Sequence, residues 1–269
     1  MIPEAIAFDL DDTLLRDDLT ISDRTVAALR RASRMGVKII PASGRAYRSM
    51  VPHVDRIGCA DCVISSNGAE LWTKDGSLLF RETFDPAFAR EIARFGEEYD
   101  VYMQTYDAGG FCYNRPEGWE TAYARATGLA GRCVGSLVTF ITEPSSKLLM
   151  MADEALIAAM LADARSRFGD AAQITCSKPT FLEFNPIRAA KGIALQRAAE
   201  RFGFRLDRTA AFGDSLNDLS MLLAAGFGYA VANAREDVRE AVRRVCPSNM
   251  EDGVAVTVEA LLQGKEEPA

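Results

Sequence analysis

Residues 5–13 read AIAFDLDDT, an apolar run that ends in three acidic side chains. The run from 5 to 10 predicts a buried strand, because short continuous apolar stretches are typical of strands inside a parallel sheet. Asp9 and Asp11 are two positions apart, so an extended backbone would aim both carboxylates to the same side. In an open α/β sheet the carboxyl ends of the strands line the ligand crevice. The acids therefore predict a site at the end of the first strand.

Strand and helix patterns alternate on both sides of a long middle segment. Before it, strands are predicted at 37–41 and 62–65, with helices at 22–35 and 46–57; after it, strands are predicted at 209–212 and 228–232, with helices at 191–201, 219–225 and 236–244. This order predicts a parallel sheet with crossover helices.

The middle segment, 84–186, has a different character. Helices are predicted at 86–98, 119–127 and 154–168, and strands at 101–106, 148–151 and 180–184. The segment contains neither a dense acidic motif nor a glycine-rich phosphate loop. We therefore expect an α/β protein with a Rossmann-like parallel-sheet core, formed by 1–83 and 187–269, and an inserted α/β domain at 84–186.

The net charge and the distribution of apolar residues limit the partners and the location that we expect. The net charge of −7 disfavours a nucleic-acid partner, because the phosphate backbone favours basic surfaces. The sequence shows neither a signal-peptide pattern nor an apolar run of about 18 residues, so we expect a cytoplasmic protein that does not enter a membrane.

Cys59 and Cys62 form a C-x-x-C pair, but no second pair or nearby histidine completes a zinc site. We expect all six cysteines to be free thiols.

A second acidic cluster follows a second apolar strand. Asp214 and Asp218 come directly after the strand at 209–212, as Asp9 does after the first strand. Two such charges about 4 Å apart repel by about 4 kcal/mol at an effective dielectric constant near 20. Clustered carboxylates at strand ends therefore suggest a cation, and hard oxygen ligands suit Mg²⁺. The alternatives are a solvated acidic turn for the first cluster and a helix N-cap for the second.

Two further sequence segments suggest a site that binds an anion. Ser43, Gly44 and Arg45 follow the strand at 37–41 and precede a helix, where a hydroxyl and free backbone N–H groups bind anions. Lys191 opens the helix after the middle segment. A lysine is disfavoured at a helix N-terminus by the helix dipole, so its presence suggests an anion beside it.

The order of these four pieces resembles that of the haloacid dehalogenase (HAD) superfamily of phosphotransferases. Flanking segments resemble the Cof-type subfamily, subclass IIB, namely SSNGA at 65–69, KGIAL at 191–195, ANA at 232–234 and NMEDGVA at 249–255. That subfamily carries an α/β cap between the second and third motifs, where residues 84–186 lie here. The resemblance covers the whole chain.

The resemblance implies specific roles. Asp9 would attack phosphorus to form an aspartyl-phosphate, and Asp11 would act as general acid and then general base. Mg²⁺ would be the cofactor, and Thr13 would steady the first loop. The metal would be bound by Asp9, Asp214, Asp218 and the backbone carbonyl of Asp11. The phosphate would be bound by Ser43, Gly44, Lys191 and Asn217, and Lys191 would also be catalytic. Arg45 and Asn67 are candidate substrate contacts.

We therefore expect a phosphatase that hydrolyses phosphate monoesters of small metabolites, such as sugar phosphates, as a monomer or homodimer. A sugar phosphomutase of the same superfamily is the nearest alternative, and a non-catalytic phosphate-accepting or metabolite-binding protein is an alternative of another class. His53 has no nucleophile partner that the sequence reveals, which disfavours a Ser-His or Cys-His hydrolase. Tyr113, Arg115 and Trp119 are expected to be structural, with substrate contact as the alternative.

Overall fold

A computed structural model describes residues 2–107 and 109–265, and the chain divides into two compact units. The core unit comprises Met1–Phe80 and Ala190–Ala269, and the inserted unit comprises Arg81–Ala189. The expected inserted domain was 84–186, so its observed bounds lie three residues outside the expected ones at either end (81 against 84, 189 against 186). No helix in the described part of the chain combines the length and hydropathy that a bilayer crossing needs.

The secondary-structure elements follow the chain in three groups. Before the inserted unit they are β1 (Ala5–Phe8), α1 (Asp23–Arg34), β2 (Lys38–Pro41), α2 (Tyr47–Ile57), β3 (Cys62–Ser65), β4 (Glu70–Thr73) and β5 (Leu78–Arg81). The next group is α3 (Pro86–Glu98), β6 (Tyr102–Asp107), β7 (Gly110–Tyr113), α4 (Trp119–Thr127), β8 (Gly131–Cys133), α5 (Leu137–Phe140), β9 (Leu148–Met151), α6 (Glu154–Phe168), β10 (Ala172–Thr175) and β11 (Phe181–Pro186). The last group is α7 (Lys191–Phe202), β12 (Thr209–Gly213), α8 (Leu219–Ala224), β13 (Phe227–Val231), α9 (Glu236–Val242), β14 (Val245–Cys246) and α10 (Gly253–Leu262).

A parallel sheet organises the core unit. Its strand order is β14-β13-β12-β1-β2, and all four neighbouring pairs run parallel. All four residues of β1 are buried, as its apolar sequence predicts. The chain passes from β1 to β2 on one side, while β12 and β13 lie on the other. The strand order thus reverses beside β1, and ligands of open α/β sheets bind at such a switch point.

The strand at 62–65 corrects one expectation. We expected β3 to continue the parallel sheet, but β3 heads a separate sheet of order β3-β4-β5, in which β3 and β4 are antiparallel. A single parallel bridge between Ala42 and Ile64 joins it to the end of β2. The physical reason is the turn that follows, because residues 66–68 reverse the chain at once and β4 returns alongside β3.

Local sequence signals explain the helices. Ser22 caps α1, as expected, since its hydroxyl accepts a hydrogen bond of 3.0 Å from the backbone N–H of Thr25. The buried face of α1 includes Val26, Leu29 and Ala32, which have helical spacing. Capping and amphipathic spacing together therefore account for the position of this helix.

The inserted unit is built on a second sheet, of order β10-β11-β9-β6-β7-β8, in which β7 and β8 are parallel and the other pairs antiparallel. One face carries an apolar core that includes Ile92, Phe95 and Met160. Tyr113 and Trp119 pack against a smaller hydrophobic cluster of Tyr102, Leu149 and Met151. The expected α/β class, with a parallel-sheet core and a second α/β unit inserted in the sequence, is confirmed.

Candidate active site

A buried lysine lies at the carboxyl ends of the central strands. Lys191 is fully buried, and its Nζ donates to Oδ1 of Asp9 at 2.6 Å and to Oδ1 of Asp218 at 2.5 Å. Asp9 directly follows β1 and donates its own N–H to the Phe212 carbonyl on β12 at 3.0 Å. Asp9 and Asp218 lie 182 and 27 positions from Lys191 in the sequence, yet both contact it at the switch point of the sheet.

Close packing of the backbone places Lys191. Gly68 has a φ of +93°, and a Cβ there would lie 2.4 Å from the carbonyl carbon of Ala190. A Cβ on Gly192 would lie 2.3 Å from the Ser220 carbonyl oxygen. Only glycine tolerates such contacts at these two positions without a shift of the neighbouring backbone. The first turn of α7 is therefore fixed between the 66–68 turn and the start of α8.

Asp218 organises the loop after β12. Its Oδ2 accepts hydrogen bonds of 3.0 Å from the backbone N–H groups of Asp214 and Ser215, while Oδ1 accepts from Lys191. A Cβ on Gly213 would lie 2.5 Å from Cβ of Asp218, so the loop needs glycine at this position. A carboxylate has about four acceptor sites, and three of those on Asp218 are used by these bonds.

Asp9, Asp214 and Asp218 form the group, among the described residues, that could hold a metal ion. One carboxylate oxygen from each lies within 4.8 Å of the others. Thr13 Oγ1 donates to Oδ1 of Asp214 at 2.9 Å, which ties the loop after β1 to the loop after β12. Hard carboxylate oxygens in this arrangement fit a hard divalent cation such as Mg²⁺. The side chain of Asp11 is not in this group.

The charges in this group are not balanced by Lys191 alone. Burial raises the pKa of Asp9 well above its ordinary value; Lys191 lowers it, and the carboxylates of Asp218 and Asp214 raise it further. Burial, and then Asp218, raise the pKa of Asp214 to about 7, although the Thr13 hydrogen bond lowers it. Burial would lower the pKa of Lys191, but Asp218 and Asp9 raise it above its ordinary value. The carboxylates thus repel one another, and a cation would relieve that repulsion.

Asp11 forms a salt bridge with Arg45 rather than with Lys191. Arg45 donates from Nε to Oδ2 of Asp11 at 2.8 Å and from Nη2 to Oδ1 at 2.6 Å, a bidentate pair. Arg45 also donates to Ser49 Oγ at 3.3 Å. His53 lies on α2 in the field of this pair, and burial and Arg45 lower its pKa while Asp11 raises it. The sequence suggested Arg45 as a substrate contact, but it did not reveal this pairing.

The expected phosphate-binding residues occupy adjoining loops. Ser43 is buried, and its Oγ accepts a 3.2 Å hydrogen bond from the Arg45 N–H. A Cβ on Gly44 would lie 2.7 Å from Oδ1 of Asn67, so the amide of Asn67 packs directly over Gly44. Asn217 Nδ2 donates to the same Oδ1 at 2.9 Å. The structure therefore brings the loop after β2, the 66–68 turn and the loop after β12 into one cluster.

Two asparagines next to these loops had no role assigned from the sequence. Asn233 Nδ2 donates to the Asp12 carbonyl at 2.7 Å, and Asn249 Nδ2 donates to the Leu15 carbonyl at 3.0 Å. Both lie in segments that carry the family resemblance, ANA at 232–234 and NMEDGVA at 249–255, and this was the available signal. All six cysteines, including Cys59 and Cys62, are free, as expected.

Known proteins that are similar to this chain include phosphatases and a haloacid dehalogenase-like hydrolase. Phosphatase YwpJ of Bacillus subtilis (strain 168) is 32% identical, over 96% of this chain and 99% of the relative. The 5-amino-6-(5-phospho-D-ribitylamino)uracil phosphatase YcsE of the same organism is 28% identical, over 94% of this chain and 93% of the relative. The crystal structure of a haloacid dehalogenase-like hydrolase from Bacteroides thetaiotaomicron has a TM-score of 0.87 at 26% identity, and the match covers 96% of this chain and 99% of that one.

The family model for haloacid dehalogenase-like hydrolases matches residues 6–258, which contain both acidic clusters, the serine loop and Lys191. The expected enzyme class, a phosphoric monoester hydrolase, is confirmed by this match together with the phosphatases among the relatives. The chain belongs to the haloacid dehalogenase-like hydrolase family, in its Cof-type branch.

Proposed function

We propose that this chain is a Mg²⁺-dependent phosphatase that hydrolyses phosphate monoesters of small metabolites through an aspartyl-phosphate on Asp9. The observation that carries the proposal is the fully buried Lys191, whose Nζ contacts both Asp9 and Asp218 at the carboxyl ends of the central strands. A cation buried beside a carboxylate nucleophile favours its anionic form and can also contact a phosphoryl oxygen.

The metal ion would be held by Asp9 and Asp214, with the Asp11 carbonyl as a further ligand and Asp218 beside them. Bound there, Mg²⁺ would neutralise charge, so that an anionic nucleophile and an anionic phosphate can approach each other. Asp218 would mainly position Lys191 and the loop at 214–215, because Lys191 and two backbone N–H groups already occupy its oxygens.

In the first step an oxygen of Asp9 attacks phosphorus and forms the new O–P bond. The bond from phosphorus to the substrate oxygen breaks, and Asp11 gives its proton to that oxygen, so the product leaves as an alcohol. Ser43, the Gly44 backbone and Asn217 would bind the phosphoryl oxygens. Arg45 would fix the direction of the Asp11 carboxyl group through its two hydrogen bonds.

In the second step water attacks phosphorus of the aspartyl-phosphate. The Asp11 carboxylate takes a proton from that water, and the bond between phosphorus and the Asp9 oxygen breaks. Inorganic phosphate leaves, Asp9 is again a carboxylate, and Asp11 is again protonated for the next cycle. One carboxyl group can serve both steps because each step returns it to the state that the other requires.

The substrate class is a small phosphorylated metabolite. A sugar phosphate is the expected kind, and 5-amino-6-(5-phospho-D-ribitylamino)uracil is a specific compound to test because the relative YcsE is named for it. A cytoplasmic location, a monomeric or homodimeric state, and the lack of nucleic-acid or membrane partners are further predictions. The free cysteines are compatible with that location.

The test is phosphate release from a panel of phosphorylated metabolites, with Mg²⁺ and after chelation by EDTA. The Asp9→Asn variant, with circular dichroism as the check on folding, is the control for the nucleophile. We expect release by the wild type only, silenced by EDTA and restored by Mg²⁺. Full activity of a folded Asp9→Asn variant would exclude Asp9 as nucleophile. Phosphoryl transfer between sugar positions without phosphate release would instead support a mutase.

A further inference from the structure

The two asparagine segments near the acid loops suggest a role beyond the catalytic set. We propose that Asn233 and Asn249, with the backbone at Arg235, form a bracket that holds the loop after β1 in register with the loop after β12. They are positioning residues, because they contact neither the metal-binding oxygens nor the phosphate-binding groups. The inference rests on the proposed function for its kinetic consequence, but its structural part can be measured separately.

Asn233 holds the peptide that follows Asp11. Its Nδ2 donates to the Asp12 carbonyl at 2.7 Å. Asp12 has a φ of +55°, a left-handed conformation that costs a non-glycine residue free energy unless its surroundings hold it. The hydrogen bond fixes the direction of the Asp12 carbonyl, and with it the backbone that presents the proposed general acid–base Asp11.

Asn249 fixes both the amide of Asn233 and the far end of the same loop. The Asn249 N–H donates to Oδ1 of Asn233 at 3.1 Å, so the Asn233 amide must present its NH₂ group to Asp12. Asn249 is itself buried, and its Nδ2 donates to the Leu15 carbonyl at 3.0 Å. The loop from Asp12 to Leu15 is thus attached at both ends to one pair of linked side chains.

The same segment also holds the second acid loop. The backbone N–H of Arg235 donates to the Asp214 carbonyl at 3.0 Å, only two residues beyond Asn233. A single short segment after β13 therefore contacts the residue after Asp11 and the backbone of Asp214. The hydrogen bond from Thr13 to Asp214 joins the two loops directly and depends on that register.

Asn233→Asp tests the bracket with the smallest change. Asn233 is exposed, so the substitution removes little packing. Asp keeps the acceptor for Asn249 but replaces the donor facing the Asp12 carbonyl with a second oxygen, which repels that carbonyl. Glu236→Gln controls for an isosteric change of one charge, of opposite sign, on the same segment, since Glu236 is also exposed and lies three positions further along.

Two readouts are needed on each full-length variant. The first is amide hydrogen exchange, because the N–H groups of Leu14 and Leu15 donate to the Leu10 carbonyl at 3.0 and 2.8 Å and report loop opening. We expect exchange there to be roughly tenfold faster in Asn233→Asp, about the effect of one lost hydrogen bond, with Tm close to wild type. The second is steady-state kinetics, in which we expect kcat to fall roughly tenfold while KM stays within about threefold.

The outcomes separate the bracket from the proposed function. Exchange and kcat in Asn233→Asp that match Glu236→Gln would overturn the bracket. If the wild type releases no phosphate, the proposed function fails, and unchanged exchange in Asn233→Asp would then overturn the bracket independently. Asn233→Ala removes both hydrogen bonds without adding a charge or a repelling oxygen, so exchange should again be faster than in the wild type; exchange at the wild-type rate would contradict the proposal.

Discussion

Replacement of Lys191 by methionine tests the central ion cluster. The Nζ lies 2.6 Å from Asp9 and 2.5 Å from Asp218, and Coulomb's law at an effective dielectric constant of about 20 gives roughly 6 kcal/mol for each contact. Removal of the lysine also removes the cost of burying its ammonium group, which offsets several kcal/mol. We therefore expect Lys191→Met to lower the free energy of unfolding by about 3–5 kcal/mol, the usual cost of breaking a buried pair, and to abolish turnover.

Urea denaturation measures the effect in the core unit. Trp72 lies in the core unit and Trp119 in the inserted unit, so a Trp119→Phe background lets fluorescence report the core unit alone. Lys38→Met is the matched control. Its partner Asp61 is 3.0 Å away, but the two side chains are 37% and 26% exposed, so the loss should be about 0–1 kcal/mol.

A double-mutant cycle decides whether the cost comes from the ion cluster. Lys191→Met leaves Asp9 and Asp218 buried without their cation, and Asp218→Asn removes one of the two carboxylates. The double variant should therefore be less destabilised than the sum of the single variants by at least about 1 kcal/mol. Additive losses, or a Lys191→Met variant no less stable than Lys38→Met, would show that the ion cluster does not stabilise the core unit.

Three other perturbations follow from particular contacts. Arg45→Ala removes both hydrogen bonds to Asp11 and should lower kcat at least roughly tenfold, since charge-assisted bonds contribute about 1.5–3 kcal/mol each, with partial recovery in Arg45→Lys. Iodoacetamide at pH 8 should label Cys133, which is exposed, much faster than Cys62. Burial shields Cys62 and raises the pKa of its thiol to about 12, so that very little of the reactive thiolate is present at pH 8. Peptide mass spectrometry measures both sites. Gly68→Ala should lower Tm and activity together, because its φ of +93° and the 2.4 Å approach to the backbone before α7 leave no space for a Cβ.

Each of these has an outcome that contradicts it. Unchanged kcat in Arg45→Ala would mean that the salt bridge does not position Asp11 during turnover. Labelling of Cys62 at the rate of Cys133 in the folded protein would contradict its burial. Gly36→Ala is the control for Gly68→Ala, since Gly36 also has a positive φ of +86° but no atom within 4 Å of its added Cβ. Equal effects of the two alanines would show that backbone strain alone, and not the close approach, matters.

Local sequence signals predicted several elements to the residue, including the strand at Cys62–Ser65 and the helices at Pro86–Glu98 and Glu154–Phe168. For the two helices, the reason is that an N-cap side chain marks where each one begins. Asp85 accepts a 2.8 Å hydrogen bond from the Ala87 N–H just before Pro86, and Asp153 accepts one of 3.0 Å from the Leu156 N–H. Helix ends of this kind depend on a few neighbouring residues, so they can be predicted from the sequence.

Pairings between distant segments could not be predicted in the same way. The departure of β3 from the parallel sheet depends on how the 66–68 turn packs, and the Arg45–Asp11 salt bridge joins residues 34 positions apart. The Asn233–Asp12 contact spans 221 positions. A single sequence names the residue types that such contacts need, but which partner each one takes is decided only when the strands assemble.

The convergence of the acids follows from the topology, and their net charge would favour a bound cation. When all are ionised, Asp9, Asp214 and Asp218 contribute three negative charges against the single positive charge of Lys191, which leaves a charge of −2 in a largely buried cluster. The charge of Arg45 is paired with Asp11 when that carboxyl group is ionised, so it does not offset the surplus. A phosphate dianion brought to this cluster would meet net repulsion, whereas a divalent cation would cancel the surplus. The surplus of carboxylates also raises the pKa of Asp214, after burial. The same feature that makes the cluster costly to bury thus makes it suited to a metal ion and then to a phosphate.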